Sequence, residues 1–434
     1  MEQETVFGIS IAGFNQEEKD RMKLSVYNRR PLYRSFLKNI KIIGCLVLLS
    51  GVLLSCCQDL YAKNRPRVLS ERISKVFREE MSKSKPVGGL LLVMQDADTD
   101  KPKIISSSVY GLSDIRHKRK MGIGQPFRYA SISKTFVAML AVRLQADGLL
   151  DLRAKITENM PGTQTPYLEK AVSDLIPHAG QVSLLSLLDH SCSVFDYRDD
   201  AFTQGLLANP FGHLDEKQTL LQGLKRGKDA GTAPTGCKGF YSNSNYVVIG
   251  LILDRILGRH HSEDLLKTLR DGMQLTDIYY EKHYTWDSNP DLVDIVHAYI
   301  PDLKGGGQLV DLTWADDGAG FANGGLIGTA NSLAVFFSKL FSEREKAPMG
   351  SIEKKREFLK VFTAASSAGT NPGNVYAKGY YFHAGFLGGY SSLVKYSPET
   401  NTVMVFMTND GYRNEGLRFA VVDKVTELLD PTRR

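Results

Sequence analysis

Residues 130–146 place Phe136, Val137, Met139, Leu140, Val142 and Leu144 on every side of a helical wheel, with Asp147 and Gly148 behind them. A helix that is apolar all round is enclosed by other elements rather than laid on a surface. Gly148 supplies its stop. The flanking sequence offers the layers needed to enclose it. Leu69, Ile73, Val76, Phe77 and Met81 share one helical face, and Pro86 follows. Residues 89–94 predict a buried strand, and 104–110 its hairpin partner across the turn-like stretch 96–103. Far along the chain, 391–396 and 402–408 predict two strands around a turn at 397–401, and 413–429 a closing helix. Helical patches such as 183–188, 246–257 and 330–341 lie between, separated by polar loops at 305–307 and 316–320. Strands at both ends with helices in the middle predict an α/β plus α architecture. One lobe, about 67–150 and 325–434, is an antiparallel sheet flanked by helices, and the other, about 151–324, is an all-helical insertion lobe.

The first 62 residues do not belong to that body. Cations at Lys23, Arg29, Arg30, Arg34, Lys38 and Lys41 precede an apolar run at 42–54, and small residues follow it. The run is shorter than the roughly 20 residues a membrane span needs. The layout is that of a secretory signal. Leu53-Leu54-Ser55-Cys56 resembles a bacterial lipobox, which implies lipidation of Cys56 and an exported, periplasmic or membrane-anchored product. An uncleaved anchor and cleavage after Ala62 are the competing readings, and translation from Met22 would give a signal of ordinary length. The domain that follows is then 63–434. Of the five cysteines, only Cys192 and Cys237 lie in it, and no CxxC spacing suggests zinc. Export makes a disulfide between these two possible, and two separate thiols equally so. The net charge of +6 is concentrated near the start, so no nucleic-acid partner is expected, and 116–120 predicts a solvated loop.

Three short motifs carry chemistry. Ser131 and Lys134 form a Ser-x-x-Lys at the head of the apolar helix, where positions three apart share a face. A buried lysine can serve as base to a serine nucleophile, because desolvation lowers its pKa. The pattern recurs at Ser35/Lys38, Ser82/Lys85, Ser351/Lys354 and Ser392/Lys395, but only Ser131 opens a long apolar helix. Tyr241-Ser242-Asn243 follows a loop and precedes another apolar helix. A lysine ammonium nearby would lower the phenol's pKa, and Asn243 offers a donor and an acceptor to a substrate amide; a plain helix cap is the bland alternative. His383-Ala384-Gly385 leads into a glycine-rich turn, where an incidental histidine is the bland alternative.

Together, in this order, the motifs resemble the serine β-lactamase and penicillin-binding-protein superfamily, specifically its class C β-lactamase-related hydrolases. Residues 127–136, 148–152, Leu187-Leu188-Asp189-His190-Ser191, 241–246 and Ala322-Asn323-Gly324-Gly325-Leu326 extend the similarity over about 87–428. The resemblance implies a β-lactamase/transpeptidase-like fold, with Ser131 as acylated nucleophile and Lys134 and Tyr241 sharing the base role. It implies Asn243, His383 and Gly385 at the substrate, and the N–H groups of Ser131 and Phe386 as the oxyanion hole. It implies no metal or organic cofactor, and as partner a D-amino-acid peptide, small ester or β-lactam. Three departures stand out: Ala384 lacks the usual hydroxyl, Ser193 replaces a usual glycine, and 375–382 runs into His383 without room for a hairpin. These favour a peptidase or esterase over an efficient β-lactamase. A non-catalytic or slowly deacylating ligand-sensing protein, and a surface interaction protein using the helical lobe, are the alternatives. His260-His261 with Glu263 is expected to bind no metal, Asp316-Asp317 to be a loop, and Trp286 and Trp314 to pack or line a pocket.

Overall fold

The computed structural model describes residues 5–6, 9–10, 15–18, 20–21, 66–281, 294–302, 308–318, 320–344, 346–364 and 370–430. The apolar run 42–54, Cys45, Cys56, Cys57, Ala62 and Trp286 lie outside the described residues. The chain divides into two compact units, 1–68 and 69–434. In the first, β1 (Thr5–Val6) and β2 (Ile9–Ser10) pair antiparallel.

The second unit is built on a seven-stranded antiparallel sheet. Its N-terminal strands are β3 (Gly88–Gln95), β4 (Lys103–Asp114) and β5 (Arg119–Lys120). Its C-terminal strands are β11 (Val375–Ala377), β12 (Tyr380–Leu387), β13 (Tyr390–Ser397) and β14 (Thr402–Thr408). The two ends of the chain meet where β14 pairs β3, from Thr402 against Gln95 to Thr408 against Gly89. β3 is apolar at nearly every position because both its faces are covered. Leu91 and Val93 pack with Ile73, Phe77 and Met81 of α1 (66–84) and with Val421, Val422 and Val425 of α11 (Leu417–Leu429). Leu90, Leu92 and Met94 point the other way, as alternate strand residues must, into the large core around α2 (Ser133–Ala146) and α9 (Ala330–Phe341). Phe136 of α2 stacks on Phe336 of α9 at 3.5 Å between ring centres. Within α2 every residue from Ser133 to Val142 is buried, together with Leu144.

The helical insertion holds α3 (Lys170–Ser173), α4 (Leu184–Leu188), α5 (Asp200–Ala208), α6 (Glu216–Asp229), α7 (Asn243–Leu257) and α8 (His261–Lys267). It is not all-helical. β7 (Ile278–Tyr280) joins β10 (Leu326–Gly328) and β6 (Phe127–Arg128) in a small sheet, and β8 (Tyr299–Pro301) pairs β9 (Leu309–Asp311). Triplets this short carry too few residues for alternation to show in the sequence. A disulfide joins Cys192 to Cys237.

Two further expectations change. Residues 375–382 are a hairpin rather than one strand: β11 and β12 turn through Lys378 and Gly379, both at positive φ (52° and 78°). That is the two-residue turn whose twist suits a hairpin. The closing helix starts at Leu417, because Arg413 pairs instead with the buried Asp410 in the preceding turn. α10 (Ile352–Thr363) begins at Ser351, whose side chain accepts the Lys354 N–H, so that Ser-x-x-Lys is a helix cap.

Candidate active site

Ser131 does not sit in α2 itself but on a 3-10 turn, Ala130–Ile132, that leads into it. Ala130 has φ 52°, a conformation unfavourable for any residue with a Cβ. The turn is held by Tyr129, whose N–H donates to Leu326 O at 2.8 Å and whose hydroxyl donates to Thr329 O at 2.7 Å. It projects Ser131 into a cleft of about 500 Å³, a size that suits a small ligand. Lys134, Tyr241, Asn243, His383, Gly385 and Phe386 line the same cleft, so the sequence-predicted residues of the second unit converge.

Lys134 is fully buried, and its Nζ donates to Ser131 Oγ at 3.2 Å, Asn243 Oδ1 at 3.0 Å and Asn323 O at 2.9 Å. Burial pulls its pKa down to about 7, against the attraction of Asp196 and with the repulsion of Arg198. Asn243 is oriented by Asp196, whose Oδ2 accepts both its backbone N–H (3.2 Å) and its Nδ2 (3.1 Å). One of the two amide donors is thereby used internally, and Asn243 serves Lys134 as directly as it could serve a substrate.

Tyr241 corrects an expectation. Its phenol is not lowered but pushed up to about 12 by burial, although a hydrogen bond with Ser131 pulls the other way. The upward push acts although 47% of the residue's surface is open to the cleft. The phenol therefore keeps its proton. His383 lies down to about 4, through burial first and Lys134 second. Its Nδ1 lies 2.7 Å from Ala384 O, which can only accept, so Nδ1 carries the proton and Nε2 offers a lone pair. His383 is thus a neutral acceptor. His190 is likewise pushed down to about 3 by burial and by Lys134. Its Nδ1 accepts from Ser242 N–H (3.3 Å) and faces Asn245 Nδ2 (3.1 Å), and its ring lies 4.6 Å from that of Tyr241.

The strand β12 forms the opposite wall. β11 covers its edge only from Tyr380 to Phe382. Gly388 and Gly389 make a two-residue turn into β13, so Leu387 and Tyr390 are the closing hydrogen-bonded pair. Alternation then turns the N–H of Phe386 away from β13, toward the open edge beside Ser131. Gly385 lines the cleft and is also required by packing. A Cβ there would fall 2.4 Å from Tyr129 O and 2.5 Å from Ser392 Oγ, so only glycine lets the strand approach the turn that carries Ser131. Gly385→Ala is expected to displace that turn and cost about 10²-fold in acylation rate, measured by stopped-flow labelling, with little change in the far-ultraviolet spectrum.

Several residues of the site had no signal of their own. Asp196 and Arg198 come from an aperiodic polar stretch, and Asn323 acts through its backbone carbonyl. Arg418, near the start of α11, belongs to none of the sequence motifs. It is 7% exposed and lines the cleft; Nη1 donates to Ser391 Oγ at 2.6 Å, and Nε has no partner. Burial lowers its pKa, with Glu415 opposing. Among the described residues, none that lines the cleft is Asp or Glu. Ser193 is buried and donates to His190 O at 3.2 Å and to Phe240 O. Trp314 lies outside the cleft, against His297. His261, the first residue of α8, is buried. Its neighbours are Asp254 (2.8 Å) and Tyr280 (3.0 Å), and Asp254, His260 and His261 form the close trio in place of Glu263. Asp316 and Asp317 lie in a loop, with Asp317 3.8 Å from the buried Arg128. Arg119, in the basic run, is not merely solvated, for it pairs with Asp294 at 2.7 Å.

The fold and this site define a serine β-lactamase or penicillin-binding-protein class of molecule. The family model for Beta-lactamase matches residues 76–424. The chain belongs to that family. It is 21% identical to the penicillin-binding protein PbpX of Bacillus subtilis (strain 168) over 76% of this chain and 73% of that one. It is 24% identical to a second penicillin-binding protein of the same strain over 52% of this chain, spanning 44% of that protein's length. Its fold is similar to that of a D-amino acid amidase from Ochrobactrum anthropi SV3, with a TM-score of 0.63 and 20% identity, over 84% of this chain and 99% of that one.

Proposed function

We propose that the protein is a serine hydrolase that forms an acyl-enzyme at Ser131 and acts on amides or esters of D-amino-acid peptides bearing a free carboxylate, such as cell-wall peptides. One observation carries this. Of the three groups that Lys134 Nζ touches, the Asn243 and Asn323 oxygens can only accept, and only the Ser131 hydroxyl has a proton to give. A neutral amine there takes that proton as Oγ attacks the carbonyl carbon. The carbonyl oxygen gains charge beside the N–H groups of Ser131 and Phe386. Tyr241, still protonated, passes its proton to the leaving nitrogen and recovers one from Lys134. Water then reverses the sequence and frees the acid.

The substrate class has two supports. A D-amino acid amidase shares the fold. Among the described residues, Arg198 and Arg418 line the cleft and no Asp or Glu does. Ala384 offers no hydroxyl to a carboxylate, so in this reading the Arg418 guanidinium takes that part. A hydrogen bond to a charged group is worth about 1.5–3 kcal/mol. Arg418→Gln should therefore lower kcat/KM about 10- to 100-fold for a carboxylate-bearing peptide and leave a neutral ester unchanged. Equal losses on both would remove the arginine from substrate binding. The test of the whole proposal is intact-mass measurement after a fluorophosphonate probe, followed by a panel of D-terminated peptides. An adduct on Ser131 with peptide turnover supports a hydrolase. An adduct without turnover makes the protein a slowly deacylating ligand sensor, and no adduct overturns the nucleophile.

Export belongs to the same proposal. It is supported by the lipobox-like segment ending at Cys56 and by a disulfide, which persists in oxidising compartments. Among the described residues no helix is long and apolar enough to cross a membrane. Palmitate labelling lost in Cys56→Ser is the expected result, and unchanged processing of that variant would count against lipidation.

A further inference from the structure

We infer that the Cys192–Cys237 disulfide is a positioning clamp for Tyr241, so that a dithiol able to open it selectively stops proton delivery to the leaving group. The inference rests on the roles proposed above for Ser131 and Tyr241.

Tyr241 lies in residues 230–242, which join α6 to α7 and contain neither helix nor strand. Thr235, Cys237, Lys238, Gly239 and Phe240 are all exposed, so burial does not fix the approach to Tyr241. The short neighbouring segment 190–193 does so instead. His190 faces the Tyr241 ring and accepts the Ser242 N–H. Cys192 bonds to Cys237. The Ser193 N–H donates to Lys238 O at 3.1 Å, and its hydroxyl donates to Phe240 O. Cys192 is 2% exposed in the main core, with its N–H on Ser186 O at 3.2 Å. One sulfur is thus anchored while the other rides on the exposed loop.

A net hydrogen bond returns less free energy than ordering one residue's backbone costs. A few such bonds do not hold this exposed stretch once the crosslink is gone. The rest of the site is held elsewhere. Ser131 and Lys134 belong to the buried turn and helix, and Asn243 is tied to Asp196. Opening the crosslink therefore releases Tyr241 alone.

The opening is a thiol–disulfide exchange. A reagent thiolate attacks the exposed Cys237 sulfur and forms a mixed disulfide, and Cys192 leaves as thiolate and takes a proton. The reagent's second thiolate then attacks its own sulfur and expels Cys237, which is protonated in turn. Two electrons and two protons pass from the dithiol, which ends as a cyclic disulfide.

The test compares two substrates on the full chain, with and without dithiothreitol. An amide needs its leaving nitrogen protonated, whereas p-nitrophenolate leaves without a proton. Reduction is expected to slow amide turnover by about tenfold or more, a part of the roughly 10²–10⁴ that acid–base catalysis supplies. Ester turnover and fluorophosphonate labelling should stay within about twofold, since neither needs that proton. Cys237→Ser should show the amide loss without reductant and be insensitive to it. In Tyr241→Phe, reduction should change neither substrate, because the clamp acts through the residue already removed. Equal losses on both substrates, a full loss in Tyr241→Phe, or no loss at all would each overturn the clamp while leaving the nucleophile standing. Oxidised protein that takes no fluorophosphonate would overturn both assignments.

Discussion

Ser131→Ala should take no fluorophosphonate adduct and lose at least about 10⁴-fold in turnover of any ester or amide, because the only covalent step has lost its atom. What remains is the catalysis that binding and an oxyanion pair supply without a nucleophile. The fold should be unaffected, since Ser131 Oγ is only a partner of Lys134 and Tyr241 and supports no other buried group. The control is a thermal melt beside the intact-mass measurement. An alanine variant that is still labelled at the same rate would place the nucleophile elsewhere.

Lys134→Met is expected to lower acylation by about 10³–10⁴-fold, near the upper range of general-base catalysis. It should also erase a specific pH dependence. The unperturbed amine of 10.5 is held at about 7, so the base form fills as pH rises and activity is lost as pH falls through 7. No further loss is expected until the phenol of Tyr241 ionises near 12. Stability responds to the same group with a definite sign. From about pH 7 to 10.5 the unfolded chain holds a proton that the folded one has released, so this lysine's contribution to stability rises with pH across that window. A kcat/KM profile and urea unfolding curves at several pH values, for the wild type and Lys134→Met, would check both effects. An acid limb that persists in the methionine variant would remove Lys134 as the base.

The architecture was legible where local pattern and burial coincide. The β3–β4 hairpin, the β13–β14 pair and α9 stand where strand and helix periodicity put them. The hairpin at Lys378–Gly379 was hidden because Val375, Tyr376, Tyr380 and Tyr381 carry β-favouring side chains straight across its turn. The short strands of the insertion were hidden for want of length. In the site, the lysine's reach to Ser131 follows from a spacing of three, whereas its partners Asn243 and Asn323 lie 109 and 189 residues away.

The sequence by itself determined that a serine and a lysine share the head of an enclosed helix, and that a sheet is assembled from the two ends of the body. Both follow from periodicity, which acts over a few residues. Only the tertiary structure decided how far each proton is poised: a lysine drawn down to about 7, a tyrosine pushed up and two histidines held neutral. A pKa is set by lost hydration and by charges a few ångströms off, and the groups responsible come from distant segments that no local pattern connects.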